Sequence, residues 1–415
     1  MLDAGNTGWV LISSALVLLM TPGVAFFYSG LVSNRSAINT ISMCFICCAV
    51  VPVLWVLVGF SLVFSPGNSL IGGWQWLGLQ GLENSNHDTV PTYAFMMFQM
   101  MFAVIAPALI SGAIVGRAKF KPYVIFVALW SLLVYVPIAH WVWGPNGWIA
   151  ALGAIDFAGG AVVHINAGFA ALTAAVVLGP RLPAHKDLSD FLALDVPHNI
   201  PFVILGASLL WFGWYGFNAG SALAANGLAS LAFVTTTLSA AASILTWTLL
   251  NWLRGVPASA VGTATSAIVG LVSITPAAGY VTPMSSLLIG VVGAMLCYFF
   301  VVHRLYILKK IDDTLDVFIC HGIAGVTGAL MTGILATKTV NKAGADGLLY
   351  GNPRLLLLQL IAVGAVIATS IIGTALILYL LKKFMEIRPT PEEEQLGMDL
   401  IEHAESAYNE IRPGF

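Results

Sequence analysis

The chain has 415 residues, of which 59% are hydrophobic and only 9% are charged, and its formal net charge is −2. A soluble domain typically contains about 25% charged residues, so this composition excludes an ordinary soluble protein. It indicates instead a polytopic membrane protein built from apolar helices.

Eleven apolar runs follow one another along the chain, and most can cross a hydrocarbon core that needs roughly 20 residues. They lie at 8–32, 38–64, 91–116, 122–143, 157–179, 199–218, 226–253, 258–275, 284–304, 315–336 and 354–381. The first run begins almost at once, with Asp3 as the only charge before it, so we expect no cleaved targeting segment. The predicted fold class is therefore all-α, with eleven transmembrane helices in a domain at 1–385 and a tail at 386–415.

Lysines and arginines predict the orientation of these spans. If the loops alternate sides, fourteen of them fall on one side and three on the other. The larger set is Arg35, Arg117, Lys119, Lys121, Arg181, Lys186, Arg254, Arg304, Lys309, Lys310, Lys382, Lys383, Arg388 and Arg412, and the smaller is Lys338, Lys342 and Arg354. By the positive-inside rule the N-terminus is outside the cell and the C-terminus is inside.

Two distant segments share one pattern, in which an aspartate precedes a histidine by eight residues and an Ala-Gly pair begins three residues after it. The first pairs Asp156 with His164, and the second pairs Asp313 with His321. Each group of five spans carries one copy, repeat one at about 8–179 and repeat two at about 199–336. An odd number of spans per half predicts an inverted repeat with a site at the midplane, and the eleventh helix is left to pack outside it.

His164 and His321 are the histidines deepest in their spans, where ionisable side chains are functional by default. The alternative is a pair that links helices by bonding to backbone. Two facing neutral rings would suit a small neutral polar solute, or a proton passed between imidazoles, and would suit a bare cation poorly. Axial ligation of a haem between facing helices is another reading.

Aromatic side chains and one carboxylate flank these histidines in the sequence. The aromatic residues are Phe98, Phe102, Trp141, Trp143, Trp214 and Phe217. Tryptophan is the strongest cation–π partner, so Trp143 and Phe102 could line an outer vestibule, although interface and core packing explain most membrane aromatics. Asp156 is either a helix N-cap or a carboxylate that stabilises an arriving cation. Asp313 has the same two interpretations, a helix N-cap or a carboxylate that stabilises a cation, with less reason for a role in recruitment.

The tail at 386–415 holds eight of the 19 acidic residues. Leu400, Ile401, Ala404 and Tyr408 are spaced to form one face of a short helix. The tail is either solvated or binds a regulatory partner. The five cysteines all lie within predicted spans and nothing nearby completes a metal site, so we expect packing roles, no metal and no cofactor.

Taken together, these segments resemble the ammonium transporter family (Amt/Mep/Rh). The likeness rests on DFAGGAVVHINAGFAALTAAVVLGPR and DVFICHGIAG around the two histidines, and on TPGVAFFYSGL, AFMMFQMMFAV, PIAHWVWG, GWYGFNAGSA and ITPAAGY. It covers nearly the whole chain. The positions of Trp143 and Ser221 match the bacterial and archaeal Amt branch more closely than the Rh branch.

The resemblance implies a role for each candidate residue. His164 and His321 would form the twin-histidine pore, with Trp214 lining it. Phe102 and Phe217 would form a gate with Phe98 above it, while Trp143, Phe102 and Ser221 would bind external ammonium with support from Asp156. Many relatives have a serine where this chain has Thr265, ten residues before the threonine of ITPAAGY, and the hydroxyl is kept.

The resemblance also implies a biological setting. Similar proteins are homotrimers in the cell membrane with one pore per subunit, in contact with lipid, and a PII-type signal protein binds their cytoplasmic face. The predicted function is uptake of ammonium, and of methylammonium as a possible second substrate, with deprotonation, conduction of ammonia and separate proton transfer. An electroneutral ammonia channel and a low-flux sensor remain alternatives. We expect neither enzymatic activity nor a nucleic-acid partner.

Overall fold

The computed structural model describes residues 1–182, 196–308 and 311–408. Those residues contain ten helices of spanning length and apolarity and one shorter apolar helix, so every predicted span is present as a helix. In chain order, spans 1 to 11 are Ala4–Leu31, Ala37–Phe64, Thr92–Ser111, Phe120–Leu152, Gly160–Leu178, Ile200–Gly220, Gly227–Leu253, Ala260–Ile274, Pro283–Val302, Phe318–Leu335 and Pro353–Phe384. The all-α polytopic architecture predicted from the sequence is confirmed.

Several spans are interrupted by wider π-helical turns or short breaks. Span 2 consists of Ala37–Leu54, the π-helical turn Trp55–Gly59 and Phe60–Phe64. Span 4 consists of Phe120–Trp130, the π-helical turn Ser131–Tyr135, Val136–Trp143 and Trp148–Leu152. Span 5 begins with the π-helical turn Gly160–Ile165 before Asn166–Leu178, and span 10 begins with Phe318–Ile323 before Ala324–Leu335.

The connections carry little regular structure. They contain 3₁₀ turns at Leu77–Leu79 and Leu348–Tyr350 and a short helix at Arg304–Ile307. The strands Asn86–His87 and Val90–Pro91 pair antiparallel as a small hairpin. The tail adds the helices Pro391–Leu396 and Met398–His403.

Side chains that cap backbone amides define where several spans begin. The Asp3 carboxylate accepts a hydrogen bond from the Asn6 amide at 2.8 Å and starts span 1. Ser259 caps span 8 and Thr282 caps span 9 in the same way. Each cap satisfies one of the amides that a helix start leaves without a partner.

Contacts between loops define two ends of the bundle. At the first, which we call the tryptophan end because Trp143 lies there, the Asp3 amide donates to Thr89 O and the Phe157 amide donates to Pro276 O. At the second, the tail end, Lys119 forms an ion pair with Glu386 at 2.8 Å. Eleven spans therefore bring the chain from the tryptophan end at its start to the tail end at its finish.

Small residues allow spans 1 and 6 to pack closely along their length. A Cβ atom added to Gly206 would collide with the backbone nitrogen of Phe27, and one added to Gly30 would lie 2.6 Å from Asn199 O. Lipid supplies no hydrophobic drive for helix association, so membrane helices gain stability from such close backbone contact.

The tail docks on the bundle instead of extending from it. The predicted apolar face of Leu400, Ile401, Ala404 and Tyr408 is wrong, because the helix ends at His403 and Leu400 is 56% exposed. Met398 and Asp399 are buried in its place. The Asp399 amide donates a hydrogen bond to Arg35 O, and this contact turns Met398 and Asp399 toward the bundle and leaves Leu400 exposed. Residues 409–415 of the predicted tail, and the predicted loop cations Lys186, Lys309, Lys310 and Arg412, lie outside the described residues.

Candidate pore and its aromatic approach

The two predicted pore histidines meet in the interior of the bundle. The Nδ1 atoms of His164 and His321 lie 3.3 Å apart, and the ring centroids lie 5.3 Å apart. The side chains are only 2% and 4% exposed. Since both contacting atoms are Nδ1, one ring donates its N–H and the other accepts with its lone pair. The expected facing pair is therefore formed by residues 157 positions apart in the chain.

One atom of this pair has no protein partner. His164 Nε2 is buried and forms no hydrogen bond within the described part of the chain. A buried polar atom without a partner costs roughly 1–3 kcal/mol. The ring thus offers a hydrogen-bonding position to a small polar solute.

The direct ring contact bears on the haem alternative. A bis-histidine haem needs both imidazoles to face the iron from opposite sides of a macrocycle. Rings whose Nδ1 atoms are 3.3 Å apart leave no space for a macrocycle between them. The pair therefore does not fit a haem.

Both histidines lie in π-helical turns, His164 in Gly160–Ile165 and His321 in Phe318–Ile323. Such turns are rare in proteins, but those that occur are often found at functional sites. They change the direction of the side chains they carry. Glycine permits the two backbones to touch beside the pair, since a Cβ atom on Gly168 would collide with the Gly322 nitrogen. The π-helical turns and this glycine contact together bring the imidazoles into register.

An aromatic series leads from the tryptophan end to the histidines. The ring centroids of Trp143 and Phe102 are 5.8 Å apart, those of Phe102 and Phe217 are 4.3 Å apart, and those of Phe217 and His164 are 5.6 Å apart. Phe98 packs beside Phe102 at 4.9 Å. Residues from four spans thus form one continuous apolar column.

Trp214 covers the face of His164. The two rings are 5.3 Å apart and inclined by only 20°. The indole N–H donates to the Thr275 hydroxyl at 2.9 Å, which fixes the orientation of the ring. Trp214 therefore forms one wall around the histidine pair.

A cavity of about 130 Å³ lies on the tail-end side of His321. Its lining includes Thr265, Tyr28, Cys320 and Asp316. The lining on this side of the histidines is therefore mixed, with hydroxyl, thiol and carboxylate groups among apolar side chains. Thr265, predicted to line the pore, is part of this cavity wall.

Asp156 acts as a helix cap. Its carboxylate accepts from the amides of Gly159, Gly160, Ala161 and Val162 at 2.7 to 3.2 Å, at the start of the turn that carries His164. Burial raises the pKa of Asp156 above its ordinary value, while these four donors act in the opposite direction. The indole N–H of Trp143 contacts the Asp156 carbonyl oxygen, at 3.0 Å, and not the carboxylate.

The position of Ser221 is set by a hydrogen bond to the backbone of span 6. Ser221 follows span 6, and its hydroxyl donates to Phe217 O at 2.8 Å. The structure brings Trp143 and Phe102 into ring contact, and Ser221 joins them through the backbone of Phe217.

Asp313 occupies the corresponding place at the tail end, before the turn of His321. One carboxylate oxygen accepts from the Phe318 amide at 2.7 Å, while the other is buried without a partner among the described residues. Burial, together with the nearby Asp316, raises the pKa of Asp313 to about 7. The two aspartates are thus very unequally satisfied.

Three buried polar residues elsewhere in the bundle were not singled out from the sequence. His140 contacts the carbonyl oxygens of Val63 and Asn68 with its two ring nitrogens, at 2.6 and 2.8 Å. Arg117, counted only as a loop cation, is fully buried, and Gln359 is 2% exposed within span 11. A polar residue inside an apolar run was the available signal for His140 and Gln359.

The chain matches the model of the Ammonium Transporter Family over residues 8–408. It is 46% identical to an ammonium transporter of Bacillus subtilis over 415 residues, which cover 99% of this chain and 100% of that protein. The crystal structure of Candida albicans Mep2 superposes with a TM-score of 0.86 at 38% identity, covering 94% of this chain and 88% of that one. A structure described as a sensor Amt protein superposes with a TM-score of 0.87 at 29% identity, covering 96% and 98%.

These matches confirm the resemblance found in the motifs, and they agree with a transporter and not with an enzyme. By sequence over nearly its whole length and by fold, the chain is a multi-pass membrane protein that belongs to the Ammonium Transporter Family.

Proposed function

We propose that this protein transports ammonium by binding it at the tryptophan end, removing its proton and conducting ammonia past His164 and His321. The observation that carries the proposal is the buried contact between the two histidines, reached through a closed column of aromatic rings. A pore built this way presents aromatic rings and two paired imidazoles to a passing solute. It favours a small neutral solute with hydrogen-bonding capacity.

The energetic argument concerns the cost of moving a charge. A cation at the centre of a bilayer costs at least several kcal/mol, with about 2.5–3.5 kcal/mol as the lower measured range. Phe102 and Phe217 are fully buried and their rings are 4.3 Å apart, so the column admits no hydrated ion without opening. Deprotonation before the column avoids this cost, since ammonia can then bond to His164 Nε2.

The entrance is defined here as Trp143, Phe102, Ser221 and Asp156. The aromatic faces attract the cation without a fixed charge, and the Ser221 hydroxyl can accept from it. The Asp156 carboxylate contributes negative potential from its place in the amide cap and supports loss of the proton. Below the entrance Phe102 and Phe217 act as the gate, with Phe98 above it.

Whether transport moves net charge across the membrane depends on where the proton goes. If it follows ammonia through the hydrogen-bonded histidine pair, transport is electrogenic. If it stays outside, the protein is an electroneutral ammonia channel. The shared Nδ1 contact supports the electrogenic form, because it provides one continuous step for a proton between spans 5 and 10.

We infer that the tryptophan end, with the N-terminus, faces outward and that the tail end is cytoplasmic. The excess of lysine and arginine at the tail end supports this orientation. Two halves at about 8–179 and 199–336 then form an inverted repeat, supported by an aspartate and a π-helical turn at each histidine. The eleventh helix completes the transport domain at 1–385, and 386–415 is the cytoplasmic tail.

The proposed partners follow from the family. We propose a homotrimer in the cell membrane with one pore per subunit, surrounded by lipid, and a PII-type signal protein at the cytoplasmic face. Methylammonium is the proposed second substrate. A sensor with little flux is the second candidate function, supported by the close superposition on a sensor Amt protein.

Transport is tested with purified protein in liposomes on a solid-supported membrane. An ammonium pulse should produce a saturable current, and a matched potassium pulse should produce none. His164→Ala should abolish the current or its selectivity, whereas His303→Ala, at an exposed histidine of the tail end, should leave both unchanged. A wild-type current from His164→Ala would contradict the proton relay. If the native protein gives no current, a change of internal pH identifies an ammonia channel, and its absence leaves the sensor.

A further inference from the structure

Span 11 is mainly apolar and carries a buried glutamine, Gln359, whose side-chain amide is hydrogen-bonded at both ends. Gln359 Oε1 accepts from the Ile155 amide at 2.9 Å. Gln359 Nε2 donates to Ile155 O at 2.9 Å and to Ala329 O at 3.1 Å. Both N–H groups of the side chain are used, so this network also fixes which atom of the amide is oxygen and which is nitrogen.

Ile155 immediately precedes Asp156 in a segment without regular structure. Gln359 pairs both the N–H and the C=O of Ile155, and the next groups are also paired. The Asp156 carbonyl accepts from Trp143, and the Phe157 amide donates to Pro276 O. In a partly buried loop the backbone polar groups that are shielded from water need partners, and here a side chain from span 11 supplies them for Ile155.

We propose that Gln359 is a positioning residue for the entrance. By holding Ile155 it fixes the Asp156 backbone, and with it both the carbonyl that orients Trp143 and the carboxylate that caps the turn of His164. Span 11, which the sequence assigned to the outside of the repeats, is then part of the transport site. This inference rests on the proposed role of the entrance.

A second contact anchors the same helix beyond His164. The Ser370 hydroxyl donates to Asn166 O at 2.6 Å, and Asn166 directly follows the π-helical turn. Residues 359 and 370 are eleven positions apart, which is about three helical turns. Span 11 thus contacts the chain on both sides of His164, in the loop before span 5 and within span 5.

Two substitutions at this position test the proposal. Gln359→Leu removes all three hydrogen bonds and should raise the ammonium concentration for half-maximal current by about tenfold, the order expected when buried polar groups lose their partners. The maximal current should change much less. Gln359→Glu should depend on pH, because a protonated carboxyl can accept from Ile155 and donate to a carbonyl oxygen, whereas a carboxylate would face those oxygens without a proton.

The ratio of the half-saturating ammonium concentration of Gln359→Glu to that of the native protein should therefore approach one at acidic pH and rise as the pH increases. Thr374→Val is the matched control, because it removes the bond from Trp130 Nε1 to the same helix, far from Ile155. The proposal would be overturned if Gln359→Leu had the same half-saturating concentration as the native protein. It would also be overturned if the ratio for Gln359→Glu did not change with pH.

Hydrogen exchange provides a measurement that does not depend on transport. Gln359→Leu should speed exchange of the amides at 155–162, and Thr374→Val should not. If the native protein carries no ammonium flux, the proposed function fails while exchange still decides the positioning role. Unchanged exchange at 155–162 in Gln359→Leu would refute it.

Discussion

Two tryptophans on one short helix serve different purposes. Trp143 contacts Phe102 with its ring and Asp156 O with its N–H. Trp141 donates to Leu70 O at 2.8 Å and packs on Trp148, so it holds the loop after span 2. Their spacing of two residues points them to different sides of the helix, and only Trp143 reaches the aromatic column.

Trp143→Phe should weaken ammonium recruitment. The change removes the bond to Asp156 O and replaces the best cation–π surface, an interaction worth roughly 0.5–2 kcal/mol. At about 1.4 kcal/mol per factor of ten, the half-saturating ammonium concentration should rise by about two- to thirtyfold. Solid-supported membrane currents measure it. Trp141→Phe is the control and should keep the native value; equal shifts in the two variants would mean that Trp143 has no special role.

The pH dependence of stability should depend on Asp313. Its pKa is raised from 3.8 to about 7, mainly by burial and then by Asp316, against the opposing Phe318 and Val317 amides and Arg117. Between these values the folded protein binds more protons than the unfolded chain. The free energy of unfolding must therefore fall as the pH rises from about 4 to about 7, and level off above it.

Asp313→Asn should remove this decline, because asparagine stays neutral and can still accept from the Phe318 amide. Each unit of raised pKa corresponds to about 1.4 kcal/mol, so the variant should gain stability over the native protein at pH 8 but not at pH 4. Thermal unfolding in detergent at several pH values measures this difference. Asp88→Asn changes an exposed acidic residue in a loop and is the control, which should follow the native curve. If Asp313→Asn also follows the native curve, the prediction is wrong.

The tail completes helices that lack their own caps. Ser36 makes no capping bond at the start of span 2. The Asp399 carboxylate instead accepts from the Ile38 and Asn39 amides at 3.0 and 2.8 Å. Glu402 accepts from the Phe120 amide at the start of span 4. Carboxylates are favourable at helix N-termini, so the acidic tail has a structural function that its composition did not reveal.

Asp399→Ala should loosen the tail. Loss of a cap costs about 0.5–2 kcal/mol, and Asp399 is 2% exposed, so we expect faster cleavage of the tail by a protease added to detergent-solubilised protein. Glu392→Ala is the control, because the exposed Glu392 forms no hydrogen bond or ion pair with the described residues. Equal cleavage rates of the two variants would show that the cap does not retain the tail.

The two faces of the whole bundle differ in charge. Arg117, Arg181 and Arg388 cluster at the tail end, where Arg117 and Arg181 face Asp312. Although burial raises the pKa of Asp312, these arginines lower it to about 2. This end of the bundle therefore holds a largely buried ion-pair cluster that stays charged.

Cysteine labelling in intact cells tests the orientation. Gln75→Cys lies in an exposed loop of the tryptophan end and Asn34→Cys in an exposed loop of the tail end. A membrane-impermeant maleimide should label the first and spare the second until the cells are broken. The native cysteines lie within spans, and labelling of the native protein gives the background signal. Labelling of Asn34→Cys in intact cells would reverse the proposed topology.

Much of the architecture could be read from the sequence. The thickness of the bilayer imposes the length of each apolar run, so eleven spans were visible without a structure. The repeated spacing around Asp156 and Asp313 indicated that His164 and His321 belong together. The motifs around them indicated the family, because each combines residue types that apolar packing alone does not require.

Other features depended on the folded chain. The bond between Gln359 and Ile155 joins residues 204 positions apart, and the cap from Asp399 to Asn39 joins residues 360 apart. Hydropathy predicts that such polar groups are buried but not which partner satisfies them, because the partner is set by how the helices pack. The π-helical turns that aim both histidines have the same apolar composition as the helices around them. The sequence thus determined the spans and the candidate pore residues, and packing decided which polar groups hold them in place.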